Sequence, residues 1–382
     1  MISFHPLRVA SVERVAEDAA CVTVEIPAAL RDSFGFHAGQ YVTVRRMIAG
    51  REERRTYSIV TPPGGGSLKL GIRLQEGGRM SGELGARLRP GDLLDVGTPM
   101  GRFRTSISAE REYSYVAFAA GSGITPILSL AADILAREPR SRFTLIYGNR
   151  SISRTMFLEE TLALKNRYIE RFAVHFVMSR EPQHTEWQNG RIDGAKVREL
   201  AVHFSEIAAA DEYLICGPGD MVDAVRDAIK TLNAEAPIRF ERFAAAPGAA
   251  APGTVVTGTV TGAASQPAER PPASNGEGPA RNELGPQGVL ATISVVMDGR
   301  SRSFPMAPTD GSVLEAAERA GLQLPFSCRS GICATCRARI TNGAAVMTHN
   351  IALEPWETQA GFVLCCQARP TTATLDISFD HK

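Results

Sequence analysis

The chain has 382 residues, with 42 lysine and arginine residues against 41 aspartate and glutamate residues, and a formal net charge of +1. This balance excludes a general electrostatic attraction to nucleic acid or to a membrane surface, and the length predicts two or three domains. No segment approaches the roughly 18 apolar residues of a membrane span, and the cysteine usage fits a reducing cytoplasm better than a disulfide framework.

The first part of the chain, residues 1–105, contains short strand-like segments separated by turns, a spacing that predicts an antiparallel β-barrel. These segments are Cys21–Ile26, Tyr41–Arg45, Thr56–Val60, Ser67–Leu74 and Leu93–Val96. Residues 106–243 instead alternate strands with helices, which predicts a doubly wound α/β domain. The predicted strands are Tyr113–Ala119, Phe143–Tyr147, Arg171–Met178 and Tyr213–Ile215, and the predicted helices are Pro126–Arg137, Met156–Asn166, Val197–Leu200 and Met221–Leu232.

Two short motifs lie in the predicted barrel, RRTYS at Arg54–Ser58 and GGRMS at Gly77–Ser81. In this order they resemble the flavin-binding pattern of the ferredoxin–NADP reductase superfamily, R-x-Y-S followed by G-x-x-S. The resemblance implies FAD as the cofactor, although related reductases can use FMN. The flavin-binding residues that it implies are Arg55, Thr56, Tyr57, Ser58, Gly78, Met80 and Ser81.

The side chains of these motifs suit flavin chemistry. Arg55 can pair with a flavin phosphate, the Tyr57 ring can lie against the isoalloxazine, and Ser58 places a hydroxyl near its reactive edge. The helix that begins after Gly78 has free N–H groups that can hold a pyrophosphate. Arg73 is a further candidate for a phosphate contact, and a solvated strand residue is the alternative.

A glycine turn joins the first α/β strand to its helix, in the sequence GSGITP at Gly121–Pro126. Thr125 suits a helix N-cap and Pro126 a first helical position. Pro126 stands where the G-x-G-x-x-G fingerprint has its third glycine, but the segment resembles the G-x-G-I-T-P of the same superfamily. The nicotinamide-binding residues that the resemblance implies here are Gly121, Gly123, Thr125 and Pro126.

Two later motifs resemble the same superfamily. Cys216–Pro218 is similar to its C-G-P segment near the nicotinamide, and Glu241–Phe243 to its terminal E-x-aromatic segment beside the flavin. A buried structural thiol is the alternative for Cys216, and core packing is the alternative for Phe243. The resemblance implies catalytic roles for Ser58, Cys216 and Glu241, and cofactor contacts for Cys216, Gly217, Pro218 and Phe243.

Arginines follow two of the predicted strands, in Gly148–Arg150 and Met178–Glu181. A 2′-phosphate distinguishes NADPH from NADH, and it needs cationic, hydrogen-bonding partners. The second segment resembles the S-R-E segment that holds this phosphate in NADP-using members of the superfamily, which implies contacts from Arg150, Ser179 and Arg180. We therefore expect NADPH, with NADH as the alternative if both arginines are ordinary solvated residues.

Residues 244–288 are dominated by alanine, glycine, proline, serine and threonine. They show no apolar periodicity, so we expect a flexible linker, which would let the following domain move between an electron donor and an outside acceptor. The alternative is an irregular insertion packed against one domain.

Near the C-terminal end, Cys328, Cys333 and Cys336 follow the spacing C-x4-C-x2-C, and Cys366 comes after 29 further residues. This spacing is typical of plant-type [2Fe–2S] ferredoxins. Zinc is the rival, but zinc sites favour two C-x2-C pairs or mixtures of cysteine and histidine, and one such pair is present. The sequence therefore predicts a β-grasp-like α+β ferredoxin domain over residues 289–382.

The fourth cluster ligand is ambiguous because Cys365 and Cys366 are adjacent. Neighbouring residues on a strand point to opposite faces, so only one can reach the cluster. The segment resembles ferredoxin domains in which the ligand directly precedes a short polar stretch, which favours Cys366. Cys365 is then expected to be a small buried hydrophobe.

The order of flavin barrel, nicotinamide domain and ferredoxin is most similar to the reductase subunits of phenylacetyl-CoA epoxidases. The reductases of 3-ketosteroid 9α-hydroxylases share this order and are the near alternative. The resemblance implies transfer of electrons from NADPH through FAD and the cluster to the oxygenase component of a multicomponent monooxygenase. An electron-carrier or docking module without reductase activity is the alternative from a different functional class.

Overall fold

The structure, a computed structural model, describes residues 3–243, 254–257 and 289–381. These residues form two compact units, one of residues 3–243 and the other of residues 254–257 and 289–381. Within these three ranges, no helix combines the length and the hydrophobicity that a membrane crossing requires.

The first unit begins with an antiparallel sheet whose strands are β1 Phe4–Ala16, β2 Ala19–Glu25, β3 Tyr41–Ile48, β4 Arg51–Ser58, β5 Ser67–Arg73 and β6 Leu93–Gly97. The strand order is β4-β3-β6-β1-β2-β5, and a bridge between Ile59 and Leu70 joins its two edges. The sheet therefore closes into the predicted barrel. Helix α1, Arg79–Gly82, lies between β5 and β6 and continues as a π-helical turn, Glu83–Arg87.

A parallel sheet follows, with strands β7 Ser114–Ala120, β8 Arg142–Asn149, β9 Phe172–Met178, β10 Glu212–Pro218 and β11 Ile238–Phe243 in the order β11-β10-β7-β8-β9. One face packs against helices α2 Ile124–Arg137 and α3 Leu158–Arg167, and the other against α4 Gly194–His203 and α5 Gly219–Leu232. This is the predicted doubly wound arrangement. Its strand order reverses between β7 and β10, so ligands are expected in the crevice outside the carboxyl ends of these two strands.

The second unit has the predicted α+β architecture. Its five-stranded sheet has the order β14-β13-β19-β15-β17, with β13 Ala291–Met297, β14 Arg300–Met306, β15 Arg337–Asn342, β17 Phe362–Leu364 and β19 Thr374–Ser378. A smaller sheet contains β12 Thr254–Thr257, β16 Ala344–Met347 and β18 Ala368–Pro370. Helix α6, Val313–Arg319, is capped by the Ser312 hydroxyl and buries its apolar side chains in the core, and helix α7 spans Pro355–Gln359.

Strand β1 is absent from the sequence-based prediction. Pro6 and the charged residues Arg8, Glu13 and Arg14 obscure its alternation, although Leu7 and Val9 are fully buried. The barrel therefore has one more strand than the pattern indicated, because pairing with both β2 and β6 stabilises a segment of weak intrinsic strand character.

The prediction that Thr125 caps helix α2 is wrong. The N-cap is Gly123, the helix begins at Ile124, and the Thr125 hydroxyl donates to the Ser122 carbonyl at 2.9 Å. Pro126 is accordingly the third helical residue. The reason is that a 3₁₀ turn at Gly121–Gly123 already leads the chain into the helix.

The prediction that residues 244–288 form a linker without regular structure is wrong for Thr254–Thr257. These residues form strand β12, which pairs antiparallel with Ala344–Met347, and Val256 is buried. Their β-branched side chains favour an extended chain against a sheet partner. The other residues of the predicted linker lie outside the described ranges.

Candidate cofactor and electron-transfer sites

The three predicted catalytic residues come together where the barrel meets the parallel sheet. Ser58, the last residue of β4, donates its hydroxyl hydrogen bond to Glu241 Oε2 at 3.5 Å. Glu241 lies opposite Cys216 in the register of β11 and β10, so their side chains share one face of the sheet. The hydroxyl, the carboxyl and the thiol therefore form one polar group at the contact between the two domains.

Burial controls the protonation of this group. Desolvation raises the pKa of Glu241 to about 8, although the hydrogen bond from Ser58 lowers it. Desolvation, and then the charge of Glu241, raise the pKa of Cys216 well above its ordinary value. At neutral pH the Cys216 side chain is thus a thiol, and burial favours the protonated form of the Glu241 carboxyl.

The R-x-Y-S strand and the G-x-x-S helix are joined by Glu53, which was not predicted as a site residue. Its carboxylate pairs with Arg55 at 3.2 Å and with Arg79 at 3.2 Å. The Arg55 side chain remains 46% exposed, so its guanidinium can also meet a phosphate from the solvent side. Desolvation raises the pKa of Tyr57, which keeps the phenol neutral beside any bound ring.

The turn before helix α1 is shaped by Gly78 and Ser81. A Cβ at Gly78 would lie 2.4 Å from the Ser81 oxygen, so a larger residue would displace that hydroxyl. Ser81 Oγ accepts from the Gln75 backbone N–H at 3.2 Å and holds the turn in place. Together with Arg55 and Tyr57, these residues fit a flavin nucleotide, because they supply a cation, an aromatic ring and a helix start.

The glycine turn and the C-G-P segment pack closely at the reversal point of the parallel sheet. A Cβ at Gly123 would lie 2.1 Å from the Cys216 carbonyl oxygen, so the approach of helix α2 to strand β10 requires glycine. Gly121 has φ +55°, and its carbonyl accepts from the Tyr147 hydroxyl at 3.0 Å. The predicted nicotinamide residues therefore line the crevice that such sheets use for ligands.

Arg150 and Arg180 follow neighbouring strands at the same edge of the sheet. The Arg180 backbone N–H donates to the Arg150 carbonyl at 2.9 Å, and the Ser179 hydroxyl donates to the Asn149 carbonyl at 3.2 Å. The positive charge of Arg180 lowers the pKa of Arg150, because two exposed guanidinium groups lie near each other. Two adjacent cations favour an anion as a ligand.

Arg73 is not the solvated strand residue that was the alternative from the sequence. It pairs with Asp18 and donates to the Arg154 carbonyl at 3.1 Å. Arg154 also donates to Asp18, with 2.9 Å between its Nε and the carboxylate. Arg73 Nη2 would still lie 3.6 Å from a Cβ at Gly121, so its guanidinium borders the glycine turn. A phosphate contact from Arg73 stays a prediction.

The cysteine loop of the second unit, Cys328–Cys336, contains residues with a left-handed backbone conformation, and several of its backbone N–H groups point into the loop. Gly331 has φ +76°, and a Cβ there would lie 2.7 Å from the His349 carbonyl oxygen. Arg329 and Ala334 also have positive φ values, which cost energy and mark a functionally constrained loop. The N–H groups of Ser330, Ile332 and Cys333 point at Cys328 Sγ over 3.4–3.5 Å.

The four predicted ligand thiols are arranged as two pairs. A hydrogen bond from Cys333, together with these backbone N–H groups, lowers the pKa of Cys328 to about 5. A hydrogen bond between Cys366 and Cys336 likewise lowers the pKa of Cys366. Four thiols in two pairs fit the two irons that the cysteine spacing implies.

Cys365 differs from Cys366 in its surroundings. Its side chain is fully buried in the apolar core, its backbone N–H donates to the Cys336 carbonyl at 3.0 Å, and desolvation raises the pKa of its thiol. Cys366 instead places its sulfur beside Cys336. The arrangement agrees with the assignment of Cys366 as the fourth ligand, which stays a prediction.

Three known protein families match successive parts of the chain. The family described as Oxidoreductase FAD-binding domain matches residues 6–105, and the family described as Oxidoreductase NAD-binding domain matches residues 118–227. The family described as 2Fe-2S iron-sulfur cluster binding domain matches residues 295–371.

One component protein of the 1,2-phenylacetyl-CoA epoxidase of Escherichia coli strain K12 is 37% identical over 383 residues, covering 100% of this chain and 99% of that protein. The chain belongs to the ferredoxin–NADP reductase superfamily, in the group with a C-terminal [2Fe–2S] ferredoxin domain. This reductase is also 26% identical to the ferredoxin reductase component of 3-ketosteroid-9-alpha-monooxygenase from Rhodococcus rhodochrous, over 98% of this chain and 96% of that one.

The fold of the reductase matches that of phthalate dioxygenase reductase, with a TM-score of 0.57 and 22% identity over 99% of this chain and 98% of the other. The predicted fold class is thereby confirmed. The chain is an NAD(P)H-dependent oxidoreductase with FAD, nicotinamide and [2Fe–2S] domains, and its relatives are electron-transfer components of oxygenase systems. The alternative of a carrier without reductase activity finds no support in these matches.

Sequence reasoning missed the partners of the reductase's site residues. Asp18 and Glu53 neutralise arginines near the predicted flavin and nicotinamide contacts, and Gln367 reaches the cysteine loop. No local motif marks these residues, because each acts on a group distant in the chain. Gln367 could have been suspected from the sequence alone, because it directly follows the predicted fourth ligand.

Proposed function

We propose that this reductase takes electrons from NADPH and delivers them, through FAD and a [2Fe–2S] cluster, to the oxygenase component of a phenylacetyl-CoA epoxidase in the cytoplasm. The observation that carries the choice of partner is the 37% identity to the Escherichia coli 1,2-phenylacetyl-CoA epoxidase component over the complete length of this chain and nearly all of the other. A match of this extent includes the ferredoxin domain, which would meet the oxygenase.

When bound, the cofactors would supply the redox chemistry, which is hydride acceptance from the nicotinamide by the flavin and one-electron transfer to the cluster. The protein residues bind and orient. Arg55 and the turn at Gly78–Ser81 would hold the flavin phosphates, and Tyr57 would contact the ring. Ser58 and Glu241 hold a proton between the hydroxyl and the carboxyl, since burial raises the pKa of Glu241 to about 8, and this pair would face the flavin.

The preference for NADPH rests on Arg150 and Arg180. Their guanidinium groups lie close enough for one to lower the pKa of the other, and both are exposed at the carboxyl edge of the parallel sheet. A dianionic 2′-phosphate relieves this repulsion and accepts hydrogen bonds from both arginines, whereas the 2′-hydroxyl of NADH cannot.

A second candidate partner is the oxygenase of a 3-ketosteroid 9α-hydroxylase. It is favoured by a relative of the same domain order, the Rhodococcus rhodochrous reductase component, which is 26% identical over nearly the complete chain. The lower identity makes it the less supported choice.

Activity with two acceptors tests the electron path. With NADPH, the wild type should reduce both ferricyanide, which can accept from flavin, and cytochrome c, which needs the cluster. Cys366→Ser should keep the first activity and lose most of the second, while Cys365→Ser should keep both. Absence of NADPH oxidation by flavin-loaded protein would reject the proposal.

Reconstitution tests the partner. The reductase, NADPH and the purified oxygenase component of a phenylacetyl-CoA epoxidase should convert phenylacetyl-CoA into a product heavier by one oxygen atom. The same reductase with the oxygenase of a 3-ketosteroid 9α-hydroxylase is the comparison. Turnover with the second oxygenase alone would replace the first assignment.

A further inference from the structure

The side chain of Gln367 spans the cysteine loop from the turn between β17 and β18, which also carries the predicted fourth ligand. It is 7% exposed, and its Nε2 donates to the Arg329 carbonyl at 2.9 Å. The same nitrogen lies 3.7 Å from Cys366 Sγ in hydrogen-bonding geometry. Its Cγ would lie 3.2 Å from a Cβ at Gly331, so the side chain lies flat against the loop.

The chemistry of these partners fixes the orientation of the Gln367 amide. A backbone carbonyl can only accept a hydrogen bond, so the group facing Arg329 must be the NH₂ and not the amide oxygen. An NH₂ group has two hydrogens. One is directed to the Arg329 carbonyl, and the other is available to the sulfur of Cys366.

Backbone hydrogen bonds hold this turn in place on both sides. The Gln367 N–H donates to the Leu364 carbonyl at 2.8 Å, and the Gln367 carbonyl accepts from the Thr348 N–H at 3.0 Å. The side chain is therefore anchored at its base by backbone bonds and at its tip by Arg329, which has a left-handed backbone with φ +56°. A donor held at both ends keeps its direction toward the sulfur.

We infer that Gln367 is a positioning residue that raises the reduction potential of the cluster by donating an N–H hydrogen bond to the thiolate of Cys366. Reduction adds one negative charge to the cluster, and donors to its sulfurs stabilise the reduced form more than the oxidised form. The inference rests on the proposed assignment of Cys366 as a ligand.

The test is the reduction potential of the cluster in the full-length, flavin-loaded protein, followed by the electron paramagnetic resonance signal during a redox titration. Gln367→Met keeps the length of the side chain and removes both donors. It should lower the equilibrium constant for one-electron reduction of the cluster three- to tenfold. At 59 mV per tenfold change, this corresponds to a reduction potential that is more negative by about 28–59 mV. Gln367→Glu should lower the potential further, because it adds a negative charge.

Gln359→Met is the matched control, since Gln359 is exposed at the end of helix α7, and its potential should equal that of the wild type. Unchanged potentials in Gln367→Met and Gln367→Glu, with two irons per chain, would overturn the inference. Failure of both variants to retain two irons, while Gln359→Met retains them, would also overturn it, because Gln367 would then be only a structural brace.

The iron content of the unsubstituted protein separates this inference from the proposed function. Wild-type protein without a [2Fe–2S] spectrum would reject the electron path itself. A wild type with its cluster, together with an unshifted potential in the Gln367 variants, would reject only the role of Gln367.

Discussion

Arg154 donates from its Nε to the Asp18 carboxylate over 2.9 Å, and this contact joins the two domains of the first unit. Asp18 lies in the turn between β1 and β2 of the barrel, whereas Arg154 follows β8 of the parallel sheet. Arg73, at the end of β5, pairs with the same carboxylate. One acidic side chain thus holds two arginines at the edge where the nicotinamide coenzyme is expected.

Asp18→Asn should lower the stability of the first unit. The variant removes the charge that faces Arg73 and Arg154, and hydrogen bonds to charged groups contribute about 1.5–3 kcal/mol. We expect a loss of about 1–3 kcal/mol, and each kcal/mol lowers the melting temperature of a unit of this size by about 2–4 °C. Thermal unfolding measures the change. Glu112→Gln is the control, because Glu112 forms an exposed ion pair with Arg140, and it should leave the melting temperature unchanged. Equal changes of the melting temperature in the two variants would refute the prediction.

Glu241 should make stability depend on pH. The unfolded chain loses the Glu241 proton near the ordinary pKa of 4.5, whereas the folded chain keeps it up to about 8 because desolvation raises the pKa. The folded state binds more protons between these two pH values. The contribution of Glu241 to the free energy of unfolding therefore falls as the pH rises from about 4.5 to about 8, and it stays constant at higher pH. Denaturant unfolding across the window should show this fall in the wild type.

Glu241→Gln should flatten that part of the pH profile, since the amide does not titrate. Glu235→Gln, at an exposed position nearby in the chain, should keep the profile of the wild type. A Glu241→Gln profile identical to that of the wild type would show that the carboxylate is ionised in the folded protein at neutral pH.

The adjacent cysteines should respond differently to substitution. Cys366→Ser should lose the visible absorption and the irons of the cluster, because it removes one of four thiolates. Cys365→Ser should keep two irons per chain, and its buried hydroxyl should only lower stability. Iron analysis and visible spectra of both proteins measure the difference. Loss of the irons in Cys365→Ser and their retention in Cys366→Ser would instead identify Cys365 as the fourth ligand.

Arg180→Ala should reduce kcat/KM for NADPH by roughly one to two decades and change that for NADH little. A charged hydrogen bond of about 1.5–3 kcal/mol, at 1.36 kcal/mol per decade, sets this range. Steady-state kinetics with both coenzymes measures it. Arg167→Ala, at the exposed end of helix α3, is the control and should affect neither coenzyme. Equal losses with both coenzymes would remove Arg180 from the phosphate site.

Val256→Ala should destabilise the second unit, although Val256 lies within a segment whose composition predicts a linker. The side chain is 1% exposed in the core of that unit, and removal of buried methyl groups costs about 1–2 kcal/mol. The loss of visible cluster absorption on heating should occur at a lower temperature. Val202→Ala, at an 84% exposed position, should have no such effect. Unchanged thermal loss would argue that β12 contributes no stability.

Local patterns were sufficient for much of this fold. The alternation of strands and helices predicted the parallel sheet, and the spacing of Cys328, Cys333 and Cys336 predicted the cluster loop, because helix periodicity and metal-ligand spacing are properties of nearby residues. In the first unit the pattern missed strands Phe4–Ala16 and Ile238–Phe243, and in the predicted linker it missed Thr254–Thr257. Each of these strands pairs with a segment that is distant along the chain, so the local sequence reveals little of what stabilises it.

The sequence by itself determined the domain order, the cofactor motifs and the family. Only the tertiary structure decided three contacts. The Ser58 hydroxyl donates to Glu241, Asp18 forms an ion pair with Arg73, and the Gln367 amide donates to the Arg329 carbonyl. The physical reason is that charge neutralisation and hydrogen bonding act over a few ångströms in space. The distance between two residues along the sequence does not predict their distance in space, because strand pairing and sheet packing determine which residues come together.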